Sequence, residues 1–182
     1  MSALTALTAL TDMSATTQQV WQWLEQVPDP EIPVISIVDL GIVRDVAFEE
    51  DGLCVVTITP TYSGCPAMIV IADSIGQVLA QHGVPRSRLD TRLSPAWTTD
   101  WMSEAGRVKL SGYGIAPPRQ LAQGYQSVDI SSLLRAGGDE TVPCPRCASA
   151  NTRMVSRFGS TSCKALYVCQ TCREPFDHFK SH

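Results

Sequence analysis

Four cysteines carry the most restrictive chemistry in this 182-residue chain: Cys144, Cys147, Cys169 and Cys172, arranged as two CxxC pairs with 21 residues between them. A CxxC pair in a tight turn points two sulfurs at one centre, and two such knuckles complete the tetrahedral sulfur shell that zinc or iron prefers. The gap slightly exceeds the usual ~15–20 residues of four-cysteine zinc patterns, which a longer hairpin accommodates. Two disulfides are the alternative pairing. Zinc is expected over iron, because the C-x4-C and C-x2-C-x2-C runs of ferredoxins are missing. A metal-bound pair is not free for thiol–disulfide exchange, which argues against a redox enzyme built on a knuckle.

A different kind of sulfur stands upstream. Cys65 precedes Pro66 in the string TPTYSGCPA, at the expected start of a helix. That position sets its sulfur near unpaired N–H groups and the positive end of the helix dipole, so its pKa is expected below the ~8.5 of a free cysteine. Thr59, Thr61, Tyr62 and Ser63 supply hydroxyls around it, and a small apolar helix cap is the simpler reading of the same residue. A nucleophilic hydrolase would need a histidine base. His82 lies at the far end of the same helix, roughly four turns away, and His178 and His182 lie in the metal module or at the chain end; all three are expected on the surface. A soft thiolate without a base suits metal or iron–sulfur handling. One cysteine cannot hold a cluster alone, so the remaining ligands would come from Cys54, Asp29, Glu31, Asp39, a partner protein or a second copy of the chain in a homodimer. Asp29 and Glu31 could equally be capping groups in a proline-stiffened turn. Cys54, among alternating apolar residues, reads as core.

These groups need elements to hold them. Residues 17–27 place Val20, Trp23, Leu24 and Val27 at helical spacing, and Pro28, Pro30 and Pro33 end that helix. The runs IVRDVAFEE and LCVVTIT, joined by Asp51-Gly52, predict an antiparallel hairpin. A helix is expected from Pro66 to about Gln81, stopped by Gly83, followed by a strand over 87–93 and a helix from Asp100 to Ser111 ended by Gly112 and Gly114. The expected fold is therefore α/β (α+β): a small three-stranded sheet with packed helices, plus a C-terminal β-hairpin zinc ribbon. The expected partition is a disordered Ala-Leu-Thr tail (1–16), a first domain (17–116), a linker (117–140) and the ribbon (141–182).

Composition sets broad limits. Hydrophobic residues make up 44% and charged residues 18%, with a formal net charge of −4. No apolar run approaches the ~20 residues of a membrane helix, and the N-terminal stretch lacks the basic start of a secretory signal. A reducing cytoplasm is the expected compartment for these thiols. Residues 141–182 carry six basic side chains against Glu174 and Asp177, but four thiolates around one divalent ion cancel half of that excess. Arg153, Arg157 and Lys164 could meet phosphates, yet no aromatic interleaving supports nucleic-acid stacking, and nucleic acid is not expected as a partner.

The strings DPEIPVISIVDLGIVRDV and TPTYSGCPA together resemble the small α/β domain of SufT-like iron–sulfur maturation proteins. CPRC followed by FGSTSCKALYVCQTCREPFDHFK, with SPAWTTDWMSEAGRVKLSGYGIAPP before it, resembles the PaaD subgroup with its zinc-ribbon extension. The resemblance spans about residues 17–180. It implies signature positions at Asp29, Pro30, Glu31, Asp39, Gly41, Thr59, Thr61, Gly64, Cys65 and Pro66, with the four knuckle cysteines holding structural zinc. Cys163 matches a family position open to three roles: a fifth sulfur near the metal, a cluster ligand or a packed thiol. The subgroup is encoded with the multicomponent phenylacetyl-CoA epoxidase of phenylacetate degradation. The resemblance thus implies an accessory factor that helps assemble or insert iron–sulfur or iron centres, with a transient cluster on Cys65. Its partners would be the oxygenase and [2Fe–2S] flavin reductase subunits, or general iron–sulfur assembly proteins. The chain itself has no Glu-x-x-His pair of the di-iron type and no nucleotide-binding glycine loop. A non-catalytic structural subunit of the epoxidase is the alternative, and a nucleic-acid-binding ribbon a remote one.

Overall fold

The computed structural model describes residues 15–119 and 141–181; the expected tail (as far as residue 14), most of the expected linker and His182 lie outside the described residues. Helix α1 spans Thr17–Leu24 and opens with a capping box, Thr16 accepting from the Gln19 N–H while the Gln19 side chain returns to Thr16. It buries Val20 and Leu24 and stops three residues short of the expected end, with Val27 continuing the same buried face from the following turn. An isolated bridge between Pro28 and Ser36 then closes the proline-rich loop.

Strands β1 (Val43–Phe48) and β2 (Cys54–Ile58) form the expected antiparallel hairpin, with Gly52 at φ +79° in the turn. Helix α2 (Ala67–Gln81) leads to β3 (Ser87–Thr91), which pairs parallel to β2. The central strand β2 is buried at every position, whereas β1 buries only Val43 and Val46, with a register shift between Val43 and Asp45. A 3-10 turn (Thr99–Trp101) replaces the first expected turn of the last helix, and α3 runs Glu104–Tyr113. Its N-cap is Ser103 and its C-cap is Gly114, left-handed at φ +91°.

The C-terminal module is more than a hairpin. Strands β5 (Thr152–Ser156), β6 (Lys164–Cys169) and β7 (Pro175–Phe179) form an antiparallel meander, and β4 (Ile115–Ala116), at the end of α3, pairs parallel to β7. The ribbon sheet thus reaches back across residue 116. One core joins α1, α2 and the three-stranded sheet, and it also takes in Cys163 and Phe179 from the ribbon; Phe179 lies 6.0 Å from Trp97. A second, smaller core gathers Val142, Ala165, Tyr167 and Phe176 about the knuckles. Among the described residues no helix is long and apolar enough to cross a membrane.

Candidate metal centre and thiol site

One knuckle precedes β5 and the other closes β6, and the antiparallel pairing of Thr152 with Cys169 sets both at the same end of the ribbon. All four sulfurs lie within 4.8 Å of one another, with Cys144 3.8 Å from Cys172 and Cys147 3.6 Å from Cys169. A metal–sulfur bond of about 2.3 Å puts tetrahedral ligands about 3.8 Å apart, so this cage fits one divalent ion. The loops are built for thiolates. The Cys172 and Thr171 N–H groups aim at Cys169 and bring its pKa down to about 6. The Glu174 N–H favours the Cys172 thiolate, but burial and the crowded sulfurs of Cys169, Cys147 and Cys144 push it up to about 12. Four adjacent thiolates require a cation among them.

Cys65 sits in the loop just before α2, partly exposed. Its expected low pKa does not hold: the thiol is raised above the free-cysteine range. Burial is the main cause. The Ala67 N–H and Tyr62 do pull the other way, as a helix N-terminus should, but Glu31 and Asp29 repel a thiolate and tip the balance. Both carboxylates belong to the proline-rich loop that follows α1. Asp29 Oδ1 accepts from the N–H groups of Glu31 (2.9 Å) and Ile32 (2.8 Å), so the capping role is also present. Burial raises the Asp29 pKa despite these bonds and the attraction of Lys164.

The other signature positions divide. Asp39 bonds Ser103, Lys109 and Ser36, tying the loop to α3; burial opposes its charge, but these bonds hold it below the usual carboxylate range. Gly41 lies beneath Trp101 in a left-handed turn. Thr59 and Thr61 line a hollow of about 410 Å3 with Tyr62, Leu93 and Trp97. Cys54 is fully buried in β2, and burial raises its thiol.

Two surface expectations are corrected. His178 is 3% exposed, packed edge-on to Tyr167, and burial and Arg119 drive its pKa down to about 4; an apolar β7 face takes it inward. Lys164 is 4% exposed and 3.8 Å from Asp177, so the β6 residue offered for phosphate contact faces inward. His82 is exposed and stacks on Trp23 at 4.4 Å.

Cys163 is the residue whose position only the fold reveals. It lies in the first core, outside the four-sulfur group, and its thiol donates to Glu31 Oε2 at 3.8 Å. The sequence signal was its place outside the two CxxC pairs, at a position of the resembled family open to three roles.

An iron–sulfur assembly domain carrying a four-cysteine ribbon is the class these features define. Residues 17–86 match the family of iron–sulfur cluster assembly proteins, and residues 129–180 match the PaaD zinc beta ribbon domain. The chain is 46% identical over 162 residues to an Escherichia coli (strain K12) protein named for the 1,2-phenylacetyl-CoA epoxidase as one of its subunits, covering 89% of this chain and 91% of that one. It belongs to that PaaD family. It is also 43% identical over 91 residues to the Fe-S protein maturation auxiliary factor YitW of Bacillus subtilis (strain 168), covering 48% of this chain and 85% of the relative. Among solved structures, a domain of unknown function (DUF59) from Bacillus anthracis overlays with a TM-score of 0.49 at 31% identity, covering 52% of this chain and 90% of that one.

Proposed function

We propose that this protein is an accessory maturation factor for a phenylacetyl-CoA epoxidase, helping to assemble or insert its iron–sulfur or iron centres, with Cys65 as the thiol that receives and passes on the cargo. The observation that carries this reading is a partly exposed cysteine whose thiol is acted on by two carboxylates and a tyrosine, with no histidine among the described groups that act on it. Acyl transfer lacks its base there. Ligand exchange needs only a thiol that can lose its proton when a metal arrives, and Asp29, whose own pKa is raised, is a fitting acceptor. The four knuckle cysteines hold zinc in a structural role, since their sulfurs fit a closed tetrahedral site. The clients would be the [2Fe–2S] flavin reductase or the oxygenase subunit.

The test is co-production of the epoxidase subunits with wild-type protein or with Cys65→Ser. Iron and acid-labile sulfide per reductase should fall by at least about tenfold with the variant, since losing even an outer-shell partner of a metal ligand costs about that much. Full cluster and iron content with Cys65→Ser would remove the transfer role. A second reading, a structural subunit of the epoxidase, is favoured by the name that the E. coli relative carries. It predicts stoichiometric co-elution with the complex and unchanged assembly by the Cys65→Ser protein.

A further inference from the structure

The ribbon contributes a side chain to the Cys65 site. Cys163 stands in the loop between β5 and β6 and is 5% exposed. Its sulfur lies 3.0 Å from Thr161 Oγ1 and donates to the Glu31 carboxylate. Glu31 and Asp29 act electrostatically on both Cys163 and Cys65. Tyr62 spans the same gap, its hydroxyl interacting with Cys65 on one side and with Ser162, the neighbour of Cys163, on the other. Two thiols from separate units therefore face one pair of carboxylates. A cysteine that merely fills space behaves as a small hydrophobe, and setting it against an ionisable carboxylate costs desolvation without improving packing. Glu31 also lines an open hollow of about 610 Å3 bordered by Lys164 and Tyr113, so the carboxylate that Cys163 addresses is reachable from solvent.

We propose that Cys65 and Cys163, with Glu31 between them, form a composite dithiol site on a single chain that receives a [2Fe–2S] cluster by thiolate exchange. This rests on the transfer reading of Cys65 and supplies the ligand that one cysteine lacks. A dinuclear cluster suits a site that supplies two thiols. Such a cluster carries four terminal ligands, so two thiols from this chain leave the other two positions to the donor's thiolates, as a transfer site requires. In the exchange, each iron–sulfur bond to Cys65 or Cys163 forms as a donor thiolate leaves. The proton of each incoming thiol ends on the departing thiolate, that of Cys163 by way of the Glu31 carboxylate to which it is already directed. No electrons are transferred.

The experiment adds a glutathione-ligated [2Fe–2S] complex anaerobically to the zinc-loaded full chain, followed by desalting, iron analysis and visible circular dichroism. The wild type should retain one cluster per chain with a dichroic visible spectrum. Cys163→Ser should lose it at least about tenfold faster and change the dichroism, while keeping its zinc. Should Cys163→Ser shed zinc, Glu31→Gln at a half-buried position decides instead, through slower uptake; unchanged uptake and release overturn the proposal. Equal retention and spectrum in wild type and Cys163→Ser, with loss in Cys65→Ser, would overturn the composite site and leave the transfer reading standing. Equal retention in all three, or none in the wild type, would overturn both.

Discussion

A thiol held beside carboxylates is protonated at neutral pH, and this sets what Cys65 can do. Burial together with Glu31 and Asp29 outweighs the pull of the Ala67 N–H, so the residue is a guarded ligand rather than a ready nucleophile. In the folded, metal-loaded protein Cys65 should still alkylate before Cys54 and Cys163, because it alone of the three is partly exposed. Since the thiolate is the reactive form, the iodoacetamide rate at Cys65 should climb about tenfold per pH unit through the free-cysteine range near 8.5. A plateau by about pH 8 would show a thiolate already formed and contradict the assigned environment. Peptide mass mapping over a pH series reads both points. The same guarding suits a transfer site, where a thiol should bond a metal offered by a partner and not consume stray electrophiles.

At the scale of elements, the loop carrying Asp29, Glu31 and Asp39 is positioned by α3 rather than by its own secondary structure. Asp39 accepts from Ser103, Lys109 and Ser36, and the Trp97 indole donates to the Leu40 carbonyl at 3.0 Å. Gly41 closes this junction at φ +70°, and a Cβ there would come within 2.4 Å of the Trp101 carbonyl oxygen. Left-handed strain and a backbone collision act together, so Gly41→Ala should destabilise the fold by at least about 2 kcal/mol. Urea denaturation with an unchanged slope and a lowered midpoint is the expected result. A loss below ~0.5 kcal/mol, typical of an ordinary surface change, would show that the loop can move off Trp101.

At the scale of the molecule, the ribbon and the first unit share structure. β4 joins the ribbon sheet from the end of α3, while Cys163 and Phe179 pack into the first core. A small module of this kind takes its folding energy from its metal. Stripping the metal with a strong chelator should therefore speed amide exchange in β5–β7 and also at Ile115–Ala116 and around Phe179. Exchange that accelerates only in the knuckle loops would mean the ribbon stands without its metal. Coupling of this kind would let the state of the ribbon bear on Cys163, and through it on the site at Cys65.

Much of the local structure was legible in the residues themselves. The CxxC spacing, the Asp51-Gly52 turn, the Gly114 stop and the apolar periodicity of α2 each rest on near-neighbour geometry, so they need no knowledge of distant packing. The knuckle cage was legible for the same reason, since two short turns joined by a hairpin leave their sulfurs one common centre. What only the tertiary structure decided depended on long-range burial. Cys65 lies beside a helix N-terminus, as its sequence suggests, yet its thiol is raised by burial, with help from carboxylates more than thirty residues upstream in the chain. Lys164 turns inward on the β6–β7 face it shares with Phe179 of the first core, and His178 on the opposite face with Ala165 and Tyr167 of the second. Cys163 had three open roles until folding set it against Glu31. Spacing fixes which groups can meet within a turn or a hairpin; the packing of two units against each other decides which charges face a given sulfur.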